Sequence, residues 1–209
     1  MTRSSATLTA FLLLSVASFQ ASAQKKNEIA FNLSVNPSIE ACLDDHSGQR
    51  PTATVRVFRD KLNDELLLTA NHIKPGLQFD VFTVRRSNLR ADGTVDPTFK
   101  NFGLAWYQSD LEADENGFAH ISLRSIFLDQ IFGFNANTGL APVNTFHVGF
   151  WFNNPNDAAP CGFDPAHPTP FNGEHKAGPV AMISTPNPIT GIGPLCTDPD
   201  LNHPGSCNP

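Results

Sequence analysis

A single tyrosine stands against seventeen phenylalanines in this chain of 209 residues, accompanied by only two tryptophans and two methionines. Large side chains without polar tips suit a dry core between sheets, where an unpaired hydroxyl is costly. Basic residues are scarce as well: 14 Lys and Arg face 20 Asp and Glu, a net charge of −6, and the only paired arginines are Arg85-Arg86. That balance repels phosphate backbones and anionic bilayers, so neither nucleic acid nor a membrane surface is an expected partner. CxxC, GxSxG and HExxH motifs are missing, as is any phosphate-cradling glycine loop. These gaps exclude the commonest zinc, hydrolase and nucleotide-binding signatures.

Long apolar runs are missing too, apart from the start. Residues 1–23, MTRSSATLTAFLLLSVASFQASA, have Arg3, an apolar stretch centred on Phe11 to Val16, and small residues at Ala21 and Ala23. This is the layout of a cleaved secretory signal, too short for the roughly 20 residues of a membrane span. Its removal takes away Arg3 and no acid, which lowers the net charge from −6 to −7. The expectation is a secreted or periplasmic protein without a membrane span. The four cysteines, Cys42, Cys161, Cys196 and Cys207, lie beyond that segment. An even count in an exported chain reads as two disulfides. Of the three pairings possible, Cys42 with Cys161 and Cys196 with Cys207 are preferred.

From Glu28 onward, short alternating runs are separated by turn residues. EIAFNLSV, TATVRVF, ELLLTANHI, QFDVFTV, FGLAWYQ, FAHISL, TFHVGFWF and PVAMIS each read as a strand. Lys74-Pro75-Gly76 joins ELLLTANHI to QFDVFTV as expected antiparallel neighbours, and Asp114-Glu115-Asn116-Gly117 reads as a hairpin turn. A calcium reading of Glu112, Asp114 and Asn116 fails, because Leu123 stands where a bidentate Glu belongs. Residues 127–134 suit either helix or strand. The expected fold is all-β: an antiparallel β-sandwich of about seven or eight strands in residues 24–185, with long disulfide-stapled loops. An irregular Pro/Gly-rich tail, 186–209, follows it. Arg85 to Lys100 and Asn153 to Gly178 exceed the usual length of connections, roughly 12 to 15 residues, and draw attention as functional or stapled segments.

The second of those loops contains FNGEHKAGP, which sets Glu174 beside His175. TFHVGFWF sets His147 and Trp151 on the face opposite Phe146, Val148, Phe150 and Phe152. Imidazole binds copper or zinc without a reduced thiol, which makes His147 and His175 candidate metal ligands, with Glu174 as a base or an orienting group. Against this, no His-x-His pair occurs on any strand. Trp106 and Tyr107 are adjacent and must point to opposite faces, so one is expected at the surface or under a loop. The candidate binding set is Trp106, Trp151, His147, Glu174 and His175. Asn32-Leu33-Ser34 is a glycosylation sequon placed within a strand.

FHVGF, CGFDP and EHKAG, in that order, bear a faint resemblance to the copper-zinc superoxide dismutases. The likeness implies a similar sandwich but not dismutase activity. Gly149 stands at the second position of their His-x-His, and Gly162, before Phe163-Asp164-Pro165, stands where they carry the bridging histidine. FGLAWYQSDLEADENG, a strand ending in WFNNP, and FNGEHKAG are similar to stretches in uncharacterised secreted proteins of bacteria and fungi. That resemblance implies no activity. The residues point to a secreted, non-catalytic binding or structural protein, whose partner is a small molecule, a glycan or a cell-surface component. The competing expectation is a secreted copper- or zinc-dependent enzyme built on His147 and His175.

Overall fold

In the computed structural model, residues 27–129, 131–135, 137–169 and 176–208 are described. The strands are β1 (Glu28–Val35), β2 (Thr52–Phe58), β3 (Asp64–Asn71), β4 (Gln78–Val84), β5 (Ala105–Glu112), β6 (Ala119–Ser125), β7 (Phe132–Asn135), β8 (Leu140–Asn144), β9 (His147–Phe152) and β10 (Val180–Ile183). A four-residue helix, Glu40–Leu43, and a 3-10 turn, Pro155–Cys161, complete the regular structure. Of residues 127–134, which suited either helix or strand, 127–129 and 131 are irregular and 132–134 belong to β7.

Eight strands form one antiparallel sheet in the order β5-β4-β9-β10-β1-β2-β3-β6, while β7 and β8 pair separately. The sheet folds over at β1. Residues Glu28 to Leu33 pair with β2, and Ser34 and Val35 then pair with β10. The result is the expected all-β sandwich, with β1, β2, β3 and β6 in one layer and β5, β4, β9 and β10 in the other. Period-two alternation decides which residues enter the space between them. Leu33, Val55, Val57, Leu66 and Leu68 come from the first layer, and Phe79, Val81, Val148, Phe150, Phe152 and Met182 from the second. Each of these side chains contributes on the order of 1.5–3 kcal/mol through loss of apolar contact with water.

Two sequence expectations about pairing are corrected. β3 and β4 are not neighbours, because Lys74-Pro75-Gly76 carries the chain from one layer to the other. The Asn116-Gly117 turn also spans the layers, so β6 pairs with β3, β5 pairs with β4, and the two strands end at opposite edges of the sheet. Local turn chemistry is satisfied nonetheless: Asp114 Oδ1 accepts from the backbone N–H of Asn116 and of Phe118, each at 2.9 Å. The two crossings stack on each other. Ile73 N donates to Gly117 O at 3.1 Å, Gly76 N to Ala113 O at 2.9 Å, and Ala113 N to Leu77 O at 2.9 Å. Stacked crossings let four strands bury a shared interior that two flat hairpins would leave open.

The second layer is apolar on both faces. Every residue of β9 is buried. On the outer face Phe82, Val84, Trp151, Val180 and Ile183 form a second cluster with Leu89 and Ala177, against which Phe102 and Ala105 pack. Leu89 and Phe102 belong to the β4–β5 connection, and Ala177 to the β9–β10 connection. The two long loops are therefore covers for that face. Cys42–Cys161 ties the short helix to the 3-10 turn, and Cys196–Cys207 closes the tail, as preferred from the sequence. The tail also packs on the body: Leu195 is fully buried in the main core, and Ile192 and Cys196 pack with Phe146.

Gly117 has φ +73°, and a Cβ there would meet Ile73 O at 2.6 Å. Gly117→Ala should combine left-handed strain with a backbone clash. The expected cost is roughly 2–4 kcal/mol, read as a fall in the urea midpoint at unchanged slope.

Candidate functional site

Cross-strand register fixes which of the candidate residues share a surface. Trp151 pairs with Asp80, Gly149 with Phe82, and His147 with Val84, all on the outer face of the second layer. On the other side of β4, Asp80 pairs with Asp110 and Phe82 with Tyr107. Trp106, one residue from Tyr107, pairs with Thr83, whose other partner Val148 lies in the main core. Trp106 and Trp151 thus stand on opposite faces of the layer. Of the two adjacent aromatics, Tyr107 is the one on the side of Trp151. Both are at the surface, Trp106 50% and Tyr107 44% exposed.

Trp151 is fully buried and packs on the rings of Phe82 and Phe102. His147 sits four residues away on the same strand, about 13 Å by the rise of an antiparallel strand. Its ring is 1% exposed, and Nδ1 lies 2.9 Å from Ser184 O and 3.1 Å from Ser184 Oγ. Its Cδ2 lies so close to the tail that a Cβ on Gly193 would come within 2.8 Å of it. Burial away from water disfavours the imidazolium and lowers the pKa from its ordinary 6.5 to about 4, against a smaller opposing effect of the Ser184 carbonyl. The arrangement makes His147 a neutral packing residue beneath the tail.

Glu174 and His175 lie outside the described residues, whereas the ends of their loop are well placed. Thr169 N donates to Ala177 O at 2.7 Å, and Thr169 Oγ1 lies 2.9 Å from Ala177 O and 2.6 Å from Gly178 O. This narrow neck is seated by Ala177 on the Trp151 cluster. Gly178 next to it serves close packing, since a Cβ would lie 2.9 Å from that of Phe152. The neck belongs to the end of the layer where β4 begins and β9 ends. Asp80 is 1% exposed there, and its Oδ1 accepts from Asn153 Nδ2 at 2.9 Å. Tyr107 donates its hydroxyl to Asp110 Oδ1 at 2.6 Å. Partial burial, and then this hydrogen bond to a carboxylate, push the Tyr107 pKa well above its usual value. Tyr107 therefore serves as a hydrogen-bonding neutral phenol.

The sequence reading left Tyr107 out of the candidate binding set and passed over Asp80 and Asp110. A detectable signal was present, for QFDVFTV carries one carboxylate inside an otherwise apolar strand. It also passed over Asp129, the centre of a buried network. Asp129 forms an ion pair with Arg59, its Oδ1 accepts from Thr197 N at 2.6 Å, and its Oδ2 accepts from Thr197 Oγ1 at 2.7 Å. Among the described residues, Asp129, Cys196 and Cys207 are a set whose potential donor atoms lie close enough for one cation. The two sulfurs are bonded to each other, so they offer no thiolate, and the cluster acts as a clamp for the tail.

Fold and site define a disulfide-stapled antiparallel sandwich with one loop-covered face. No protein-family model, curated protein or solved structure matches the chain.

The lowered pKa of His147 sets a sign for pH dependence. Between pH 6.5 and about 4 the unfolded chain takes up a proton that the folded chain refuses, so stability falls as pH falls across that window. The loss should reach on the order of 3 kcal/mol. Denaturant titrations at pH 7 and pH 4.5 should show it in the wild type, and His147→Asn should shrink the difference. For the tail clamp, Asp129→Ala leaves Arg59 unpaired and should cost roughly 3–5 kcal/mol. Limited proteolysis of that variant should begin within residues 186–208.

Proposed function

We propose that this chain is an exported binding module without catalytic chemistry of its own, and that it presents the FNGEHK stretch as its contact loop. The observation that carries this reading is the neck formed by Thr169 and Ala177. Seven residues, 170–176, are closed between two hydrogen-bonded positions, and Ala177 anchors the neck on the buried aromatic cluster. A short loop on a rigid, disulfide-stapled base loses little conformational entropy when it binds, which is how loop-borne recognition gains affinity. Tyr107 and Asp110 at the neighbouring strand end add a phenol ring and a carboxylate to the same end of the layer. Ring stacking with hydrogen bonds to hydroxyls is the chemistry of a polyhydroxylated ligand, so a glycan is the favoured class.

The apolar first 23 residues and the two disulfides support export. No helix among the described residues is long and apolar enough to cross a membrane. The burial of His147 beneath the tail, with Nδ1 already against Ser184, weighs against the metalloenzyme alternative.

Glycan-array screening followed by calorimetry with the best oligosaccharide tests the reading. Saturable binding is expected, with loss of at least about tenfold in affinity in a Glu174→Ala/His175→Ala double variant that keeps its melting temperature. Stoichiometric copper or zinc in untagged protein, lost on His175→Ala, would overturn it in favour of the enzyme.

A further inference from the structure

The free edge of β5 carries a pattern that extends beyond Tyr107 and Asp110, the two side chains it lends to the contact-loop end of the layer. β5 is one end of the eight-stranded sheet, and its eight residues, AWYQSDLE, contain neither Pro nor Lys, two common guards of a free edge. Two exposed aromatics, Trp106 and Tyr107, stand in its first half, one on each face. Charge is distributed unevenly along it. The second half holds exposed Asp110 and Glu112, and exposed Asp114 and Glu115 follow in the turn. The first half has no charge of its own but starts beside cations: Arg85 N donates to Leu104 O at 2.9 Å, Arg86 N to Phe102 O at 3.0 Å, and exposed Lys100 lies just upstream. The edge is therefore basic at one end, aromatic in the middle and acidic at the other.

We infer that β5 is a self-association edge, through which two copies of this chain pair antiparallel about a twofold axis near Tyr107. An isologous contact of this kind sets each residue against the reverse sequence of the other copy. The acidic end of one copy then faces the arginines of its partner, and the same match recurs on the other side of the axis. A parallel pairing would oppose acid to acid, so the charge pattern selects the antiparallel arrangement. At the centre, the Trp106 and Tyr107 side chains of both copies become cross-strand neighbours on the two faces of the joined sheet, and aromatic pairs of this type stabilise adjacent strands. The net charge of −6 opposes association only at close range, because the Debye length is about 8 Å at physiological salt. The occupant of this edge is a second copy of the same chain, and Tyr107 is the side chain it would share with the ligand of the contact loop.

Sedimentation-equilibrium measurements on the purified protein, over a range of concentration and salt, test the inference. A dimer is expected at low salt, weakening as salt rises. Glu112→Arg should weaken it by about tenfold or more, as should Arg86→Glu, because each opposes like charges. The double variant Glu112→Arg/Arg86→Glu should recover dimerisation by reversing the polarity of both ends at once. Melting temperatures near that of the wild type would show that all three variants are folded. A wild-type monomer at every concentration, or a dimer indifferent to both reversals, would sink the proposal.

Discussion

The constraint on which the structure depends is the two-sided burial of β9. A strand reading HVGFWF has no polar face to turn toward water, so the layer that contains it must be covered twice. The opposite layer supplies one cover. The second must come from connections, and this accounts for their length: the β4–β5 loop brings Leu89 and Phe102 over Phe82 and Trp151, and the β9–β10 loop brings Ala177. Gly149 allows the close approach, since a Cβ there would meet Phe82 Cζ at 2.8 Å and Met182 O at 2.7 Å. The tail completes the cover at the His147 end, where Gly193 passes directly over the imidazole and Leu195 N donates to Phe146 O at 3.1 Å.

Electrostatics follow from the same requirement. Polar groups caught under the covers are hydrogen-bonded locally rather than left for solvent. His147 meets Ser184, Asp80 meets Asn153, and Asp64 accepts from the backbone N–H of Phe127 and Leu128. Each of these titratable groups is consumed in holding one segment against another. Acids in the turns do similar work: Asp92, Asp96, Asp114, Asp164 and Asp200 accept from groups two to four residues further along the chain, and their pKa values are lowered for that reason.

The strands were legible in the sequence because alternation in EIAFNLSV, TATVRVF and FAHISL records which face meets the core. The partners of those strands were not. Lys74-Pro75-Gly76 and Asn116-Gly117 specify a change of direction, and the same turn chemistry serves a hairpin within one sheet or a crossing between two. What decides is where Leu66, Leu68, Phe79 and Val81 find their cover, a property of the whole chain. The site was blurred for a similar reason. Trp106, Trp151 and His147 were grouped by residue type and by nearness to a loop, whereas register separates Trp106 from Trp151 by the thickness of the layer and encloses His147 beneath the tail. The disulfide pairs were within reach of inference because Cys42 and Cys161 each border a segment that must be pinned. Glu174 and His175 lie outside the described residues, so their part rests on the neck that holds them.

β1 lies between β2 and β10, so the first and last strands of the sheet are neighbours, and Leu195 beyond them still belongs to the core. Contacts this distant in sequence cannot form while the chain is being synthesised. Closure of the sheet and core must wait for β10 and Leu195, and it is slow because long loops must be ordered before these contacts reward them. The same order of events keeps Cys42 and Cys161, 119 residues apart in sequence, from being held together before the late segments dock.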